Sequence, residues 1–179
     1  MPQERIGEGP VILVALGSNL PSPRFGDPID VCRHALGALE ASGISVVTRS
    51  RWFRTAPVPA SDQPWFVNGL AAVRCDAEPE GLLRRLHGVE EAFGRVRSEP
   101  NAPRILDLDL IDYDGMVRNG EGGGPVLPHP RLHERAFVLL PLRDVAPDWR
   151  HPATGEDLAT LIARLPSDQI AEPIDAPPE

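Results

Sequence analysis

The chain has 179 residues, a formal net charge of -8 and a pI near 5.1. That length suits one domain with a real core, and the charge sets a repulsive long-range field against non-specific binding to nucleic acid or an anionic membrane. All eighteen basic residues are arginine, which excludes lysine Schiff-base chemistry and the glycine-rich phosphate loop ending in Lys-Ser/Thr, and leaves phosphate to guanidinium forks and metal.

Residues 1–10 are polar and read as an N-terminal tail ahead of one domain spanning 11–165. The apolar run 11–16 is too short for a signal peptide or a membrane span, so it reads as a buried strand of a cytoplasmic protein. It ends at Gly17-Ser18-Asn19, and a loop with Pro21 and Pro23 follows. Asp27-Pro28 then supplies a capping acid and a first-turn proline for a helix with Ile29, Cys32, Leu36 and Leu39 on its apolar stripe and Gly43 as its stop. Residues 44–53, rich in β-branched and aromatic side chains, predict a second strand. The prolines of Thr55-Ala56-Pro57-Val58-Pro59 predict a loop, and residues 66–75 a third strand antiparallel to the second.

Pro79 opens a second helix with Leu82, Leu83, Leu86, Val89 and Phe93 inward and Gly94 as its end. A loop bearing Arg95, Arg97 and Arg104 leads into a fourth strand that stops at Asp114-Gly115. The order strand, helix, strand, strand, helix, strand predicts an α+β, ferredoxin-like (βαββαβ) antiparallel sheet with helices packed on it, plus C-terminal additions. Those additions are a flexible turn at 121–124, a rigid loop Leu127-Pro128-His129-Pro130, a helix over 135–146 carrying one proline, and a short capped helix over 154–165 with Leu158, Leu161 and Ile162 inward. Residues 166–179, proline-rich and acidic, predict a disordered tail. Cys32 and Cys75 lie on different elements without Cys-x-x-Cys spacing, so neither a zinc site nor a disulfide framework is indicated.

The chemistry collects around Arg104-Ile105-Leu106-Asp107-Leu108-Asp109-Leu110. Strand periodicity sets Asp107 and Asp109 on one face and the leucines on the other. Two adjacent carboxylates repel unless a divalent cation sits between them; the alternative is an exposed strand face with two solvated acids. The three preceding arginines turn the pair toward polyphosphate binding, since magnesium prefers a few carboxylates completed by phosphate oxygens and water. The competing account is a solvated network with Glu90, Glu91 and Glu99. His129 and Arg135 extend the positive patch, and Phe66 and Asn68, sharing a strand face, offer a ring and an amide to a flat heterocycle or else serve as core and sheet edge.

Taken together, Gly17-Ser18-Asn19-Leu20, Thr55-Ala56-Pro57-Val58, Asp62-Gln63-Pro64-Trp65-Phe66-Val67-Asn68, Glu90 with Gly94-Arg95-Val96-Arg97, Pro103-Arg104-Ile105-Leu106-Asp107-Leu108-Asp109, and Leu127-Pro128-His129 with Arg135-Ala136-Phe137 form an ordered set of blocks over residues 11–150. The set resembles the 6-hydroxymethyl-7,8-dihydropterin pyrophosphokinases of folate biosynthesis. The resemblance implies transfer of pyrophosphate from ATP to the pterin hydroxymethyl group with release of AMP, by a monomer whose partners are ATP and the pterin. It further implies that Asp107 and Asp109 hold two Mg²⁺ ions, that Arg95, Arg104 and His129 act with them in catalysis, and that His87, Glu90, Arg97, Leu110, His129 and Arg135 bind ATP. Thr55, Val58, Phe66, Asn68 and Phe137 would bind the pterin, with the two rings as its sandwich.

The chain departs from the family pattern at Pro100 and Asn101, where many members carry a basic residue and a tryptophan, at His87, where some have glutamine, and at Pro130, where others have an aromatic. Two rival readings remain. A nucleotidyltransferase also combines Gly-Ser with Asp-x-Asp, but within one short hairpin, whereas Ser18 and Asp107 lie far apart here. A non-catalytic ferredoxin-like ligand-binding module is the other.

Overall fold

The computed structural model describes residues 11–95 and 99–174. Strand β1 (Ile12–Ser18) is followed by helix α1 (Pro28–Ala41), strands β2 (Ser45–Arg49), β3 (Phe53–Thr55) and β4 (Phe66–Arg74), helix α2 (Pro79–Ala92) and strand β5 (Asp107–Tyr113). A two-stranded hairpin of β6 (Arg118–Asn119) and β7 (Val126–Leu127) precedes helices α3 (Ala136–Val145) and α4 (Leu158–Ala163), and β8 (Ala171–Pro173) closes the described chain. The main sheet is antiparallel, in the order β5-β1-β4-β3-β8, with β2 also paired to β4.

Alternation divides the sheet's two faces. Ile12, Val14, Leu16, Leu106, Leu108 and Leu110 pack with α1 and α2 residues such as Cys32, Leu39, Leu82, Leu86 and Val89. Leu13, Leu70, Ala72 and Ile111 face the other way and pack with Val138, Leu139 and Leu142 of α3 and Leu158 and Leu161 of α4. The sheet therefore lies between two helical layers, with a core on each side.

Several expected boundaries shift for local reasons. The single strand expected over 44–53 is two strands, because the ladder is interrupted at Ser50: its N–H still donates to Leu70 O at 2.8 Å, but Leu70 N donates to Ser50 Oγ at 2.9 Å instead of to a backbone carbonyl, and that Oγ donates to Arg51 O at 2.7 Å. Three residues here oppose two on β4, a bulge that drops the Trp52 ring onto Gly69, where a Cβ would lie 2.5 Å from it. Thr55, expected in a loop, ends β3. Asp27 stands at the N-cap of α1 but its side chain makes no capping hydrogen bond. The last helix begins at Leu158 rather than 154, because Asp157 caps it by accepting from Thr160 N at 2.7 Å. Residues 121–124, expected as a flexible turn, include a 3-10 turn at the tip of the β6–β7 hairpin.

The larger correction is at the C-terminus. Residues 166–174, expected to be disordered, join the fold: β8 pairs with β3, Ile170 O accepts from Ala56 N at 3.2 Å, and Ile174 N donates to Trp52 O at 2.8 Å. β3 offers an unpaired ladder edge, and backbone bonding fills it whatever the segment's polarity. Residues 1–10 and 175–179, the rest of the expected tails, lie outside the described residues.

Candidate active site

Three strands form the floor of the site. Gly17 of β1 pairs with Asn68 on β4 and with Asp107 on β5, so the three stand abreast on the α3/α4 face. Farther along this face the same strands carry the apolar residues Leu13, Leu70 and Ile111; toward this end polar groups replace them. Gly17 contributes no side chain, and a Cβ there would lie 2.6 Å from Asn68 Oδ1. A cavity of about 700 Å³ opens over this floor, within the range of small-molecule sites.

On one side the cavity is lined by two aromatic rings and uncharged polar groups. Phe66 and Asn68 line it from β4, Thr55 from β3, Val58 from the proline loop and Phe137 from α3. Asn68 Nδ2 donates to Thr55 Oγ1 at 2.6 Å. That bond fixes the amide, leaving its oxygen for another donor.

On the other side charge accumulates. Asp107 Oδ1 accepts from Arg95 Nη1 at 2.9 Å and from Arg104 Nη1 at 3.2 Å. The Arg95 guanidinium also contacts Glu90, a buried carboxylate on α2. Glu90 Oε2 accepts from Leu108 N at 3.1 Å and so satisfies a backbone donor on the edge strand β5. Leu83, His87 and Glu90 recur at helical spacing and line the cavity as one stripe of α2. Arg95 is thus held by Asp107 and by Glu90, one of the three acids of the competing account; Glu90 is buried, whereas Glu91 and Glu99 are exposed.

Asp109, two residues along, also lines the cavity. Burial and then the charge of Asp107 push its carboxyl up to about 6, against the opposing pull of Arg135, Arg104 and Arg95.

A bulge in β5 delivers His129. Between Asp112, which pairs with Leu13, and Leu110, which pairs with Val14, Ile111 has no partner on β1, and its carbonyl accepts from His129 N at 2.8 Å. His129 Nδ1 accepts from Arg131 N at 3.2 Å, which assigns the ring proton to Nε2 in the neutral form. Burial, followed by the Arg135 charge, draws its pKa down to about 4. Arg135, at the N-cap of α3, has its guanidinium carbon 5.3 Å from the Phe137 ring centroid, and burial draws its pKa below the ordinary arginine value.

Of the residues expected to form the site, Thr55, Val58, Phe66, Asn68, His87, Glu90, Arg95, Arg104, Asp107, Asp109, His129, Arg135 and Phe137 all line this cavity. Leu110 does not: strand alternation turns it into the α1/α2 core. Arg97 lies outside the described residues. Ser18 is fully buried and its Oγ donates to Leu20 O at 3.3 Å, so it takes no part in a Gly-Ser nucleotide grip.

Sequence reasoning gave no role to Asn19. Its buried side chain accepts from Arg104 N at 3.0 Å and donates to Gln63 Oε1 at 3.0 Å and Pro64 O at 3.1 Å. Gln63 Nε2 in turn donates to Asn101 O at 2.7 Å, where Asn101 has a φ of 62°. The only signal was the place of Asn19 directly after a strand ending in glycine and serine.

The donor set fits a hard divalent cation. Asp107 and Asp109 offer carboxylate oxygens to the cavity, and among the described residues Asp109 has no hydrogen-bonding cation such as Asp107 has in Arg95 and Arg104. Among the described residues no third His, Cys, Asp or Glu joins them. Phosphate oxygens and water would complete the shell, as magnesium prefers.

The chain is similar to known proteins over most of its length. A family model described as 7,8-dihydro-6-hydroxymethylpterin-pyrophosphokinase matches residues 13–147. The chain is 41% identical over 153 residues to the 2-amino-4-hydroxy-6-hydroxymethyldihydropteridine pyrophosphokinase of Methylorubrum extorquens, covering 85% of this chain and 91% of that protein. It is 38% identical over 161 residues to the enzyme of that name from Pseudomonas aeruginosa, covering 89% and 94%. Against the folic acid synthesis protein fol1 of Pneumocystis carinii it is 35% identical but spans only 20% of that longer protein. In fold it is similar to the Plasmodium falciparum HPPK-DHPS wild type with SDX-DHP, at a TM-score of 0.67 and 12% identity, covering 87% of this chain and 44% of that one. With the family model matched over residues 13–147, from β1 through α3, this chain belongs to the 7,8-dihydro-6-hydroxymethylpterin-pyrophosphokinase family.

Proposed function

We propose that this protein transfers the terminal pyrophosphoryl group of ATP to the hydroxymethyl group of 6-hydroxymethyl-7,8-dihydropterin, releasing AMP, as a step of folate biosynthesis. The observation that carries the reading is that one cavity joins a carboxylate pair and three arginines to two aromatic rings and an anchored amide. A polyphosphate suits the first half and a pterin the second, and the reacting alcohol would lie where they meet.

Asp107 and Asp109 would hold two Mg²⁺ ions, which when bound neutralise phosphate oxygens and lower the pKa of the attacking alcohol. The chain's own residues do the rest. Arg95 and Arg104, fixed against Asp107, offer guanidinium donors to charge developing at the β-phosphoryl group and its bridging oxygen. Neutral His129 offers Nε2–H without adding a charge that titrates near pH 7. Arg135, His87 and Arg97 contact the triphosphate, and Glu90 orients Arg95. Phe66 and Phe137 enclose the pterin, while Asn68, Thr55 and Val58 read its polar edge. In-line placement and charge neutralisation are what such a transfer needs, and no strong general base is required.

The reading carries further proposals with it. We read the fold as a ferredoxin-like βαββαβ arrangement in a single domain, with the segments after Tyr113 as C-terminal additions; the sheet order supports that reading. The protein acts as a monomer in the cytoplasm on small-molecule substrates, without nucleic acid or membrane; among the described residues no helix is long and apolar enough to cross a membrane. The test is AMP release from ATP and Mg²⁺ with and without the pterin. Pterin-dependent AMP supports the reading, pyrophosphate release instead supports a nucleotidyltransferase, and ATP binding with no turnover supports a non-catalytic module.

A further inference from the structure

Arg135 holds the N-cap position of α3, where a side-chain acceptor normally satisfies one of the first free N–H groups. A guanidinium accepts nothing, so the helix start is uncapped from within. The acceptor comes instead from Gln169: its Oε1 accepts from Ala136 N at 2.7 Å, and its Nε2 donates to Glu134 O at 2.6 Å. The two bonds bracket Arg135 on either side of its backbone.

The residues that follow Gln169 fasten the other half of the cavity. Ile170 O accepts from Ala56 N, and Ala171 pairs with Thr55. One short segment thus ties the start of α3, with Arg135 and Phe137, to Thr55 at the end of β3 and to the following loop with Ala56 and Val58. Gln169 itself does not line the cavity, and it lies beyond residues 13–147 of the family-model match.

We propose that Gln169 is a positioning residue that caps α3 from outside, so that Arg135 can stand at the N-cap with its guanidinium committed to the cavity. This deepens the pyrophosphokinase reading and rests on it for the identity of the anion that Arg135 meets.

The test is a double-mutant cycle of Gln169→Ala and Arg135→Ala, read as kcat and KM for ATP and for the pterin. Gln169→Ala is expected to lower kcat/KM for ATP by about tenfold, the scale of one lost charge-assisted contact. The same change in the Arg135→Ala background is expected to cost less than about twofold if it acts through that side chain. Equal loss in both backgrounds would mean general destabilisation and would overturn the proposal, as would a Gln169→Ala protein with wild-type kinetics. Should Gln169→Ala not fold, Gln169→Glu replaces it in the cycle; it keeps the acceptor and removes the donor, and the same non-additivity is expected at smaller size, with additivity again overturning the idea. If the wild type releases no pterin-dependent AMP, the functional reading falls. The cycle can still be run on calorimetric binding of MgATP, where additivity overturns the Gln169 proposal separately.

Discussion

Asn19 Oδ1 accepts the backbone N–H of Arg104 at 3.0 Å, while Asn19 Nδ2 holds Gln63 and Pro64. One buried amide therefore ties the end of β1 to a loop on each side of the cavity. Three bonds at about 1 kcal/mol each make Asn19→Ala roughly 3 kcal/mol less stable, and we expect at least a tenfold loss in kcat/KM as Arg104 drifts. Asn19→Asp, which keeps only the acceptor, should fall between. Urea unfolding and AMP release measure both; an Asn19→Ala enzyme with full activity would contradict the staple.

Asp109 gives a pH signature. Its folded pKa of about 6 lies above the ordinary 3.8, so the folded state holds the proton longer than the unfolded chain. The resulting stability is present below about pH 4 and is lost as pH rises through about 6. Asp109→Asn should therefore be more stable than wild type at pH 7–8 without added metal, by up to about 3 kcal/mol, and equal to it near pH 3.5, while losing turnover at every pH. Thermal scans across pH decide the matter, and parallel curves for the two proteins would sink the claim.

His129 moves in the opposite sense. A folded pKa of about 4 against an ordinary 6.5 means that its contribution is present above about pH 6.5 and is lost as pH falls through about 4. The imidazole resonances followed by NMR should titrate near pH 4, and kcat should show no histidine limb above pH 6. A midpoint near 6.5 would remove the neutral-donor role.

Gly17→Ala probes the floor. Its Cβ would meet Asn68 Oδ1 at 2.6 Å, so Asn68 must shift from Thr55. We expect KM for the pterin to rise about tenfold, KM for ATP to stay within twofold, and stability to fall by about 1–3 kcal/mol. Equal effects on both substrates would argue against separate halves.

Glu90 is buried and compensates two partners, Arg95 and Leu108 N. Glu90→Leu strands both and should cost about 3–5 kcal/mol; Glu90→Gln keeps an acceptor for the backbone and should cost less than half of that. Chemical denaturation of the two variants tests the ranking.

Much of this was legible in the linear chain, because the signals are local. The two-residue period over Leu106 to Leu110 is enough to set both aspartates opposite the leucines, and the 3.6-residue period over Leu82 to Val89 is enough to bury that side of α2. The absence of lysine assigns phosphate to arginine whatever the fold. Pro28 and Pro79 mark two helix starts for the same reason: their geometry and missing N–H suit a first turn.

What the chain alone did not reveal depends on residues distant in sequence. The break between β2 and β3 follows from Leu70 N bonding the Ser50 side chain, with Trp52 seated on Gly69, and the delivery of His129 from a carbonyl freed by the β5 bulge. The segment after residue 165 is polar enough to read as disorder, yet it orders because β3 has an open edge and α3 has an arginine where an acceptor belongs. Periodicity encodes which face of an element is apolar; which unsatisfied backbone group or missing side chain a remote residue completes is decided only when the elements pack, since each such bond depends on the geometry of both partners.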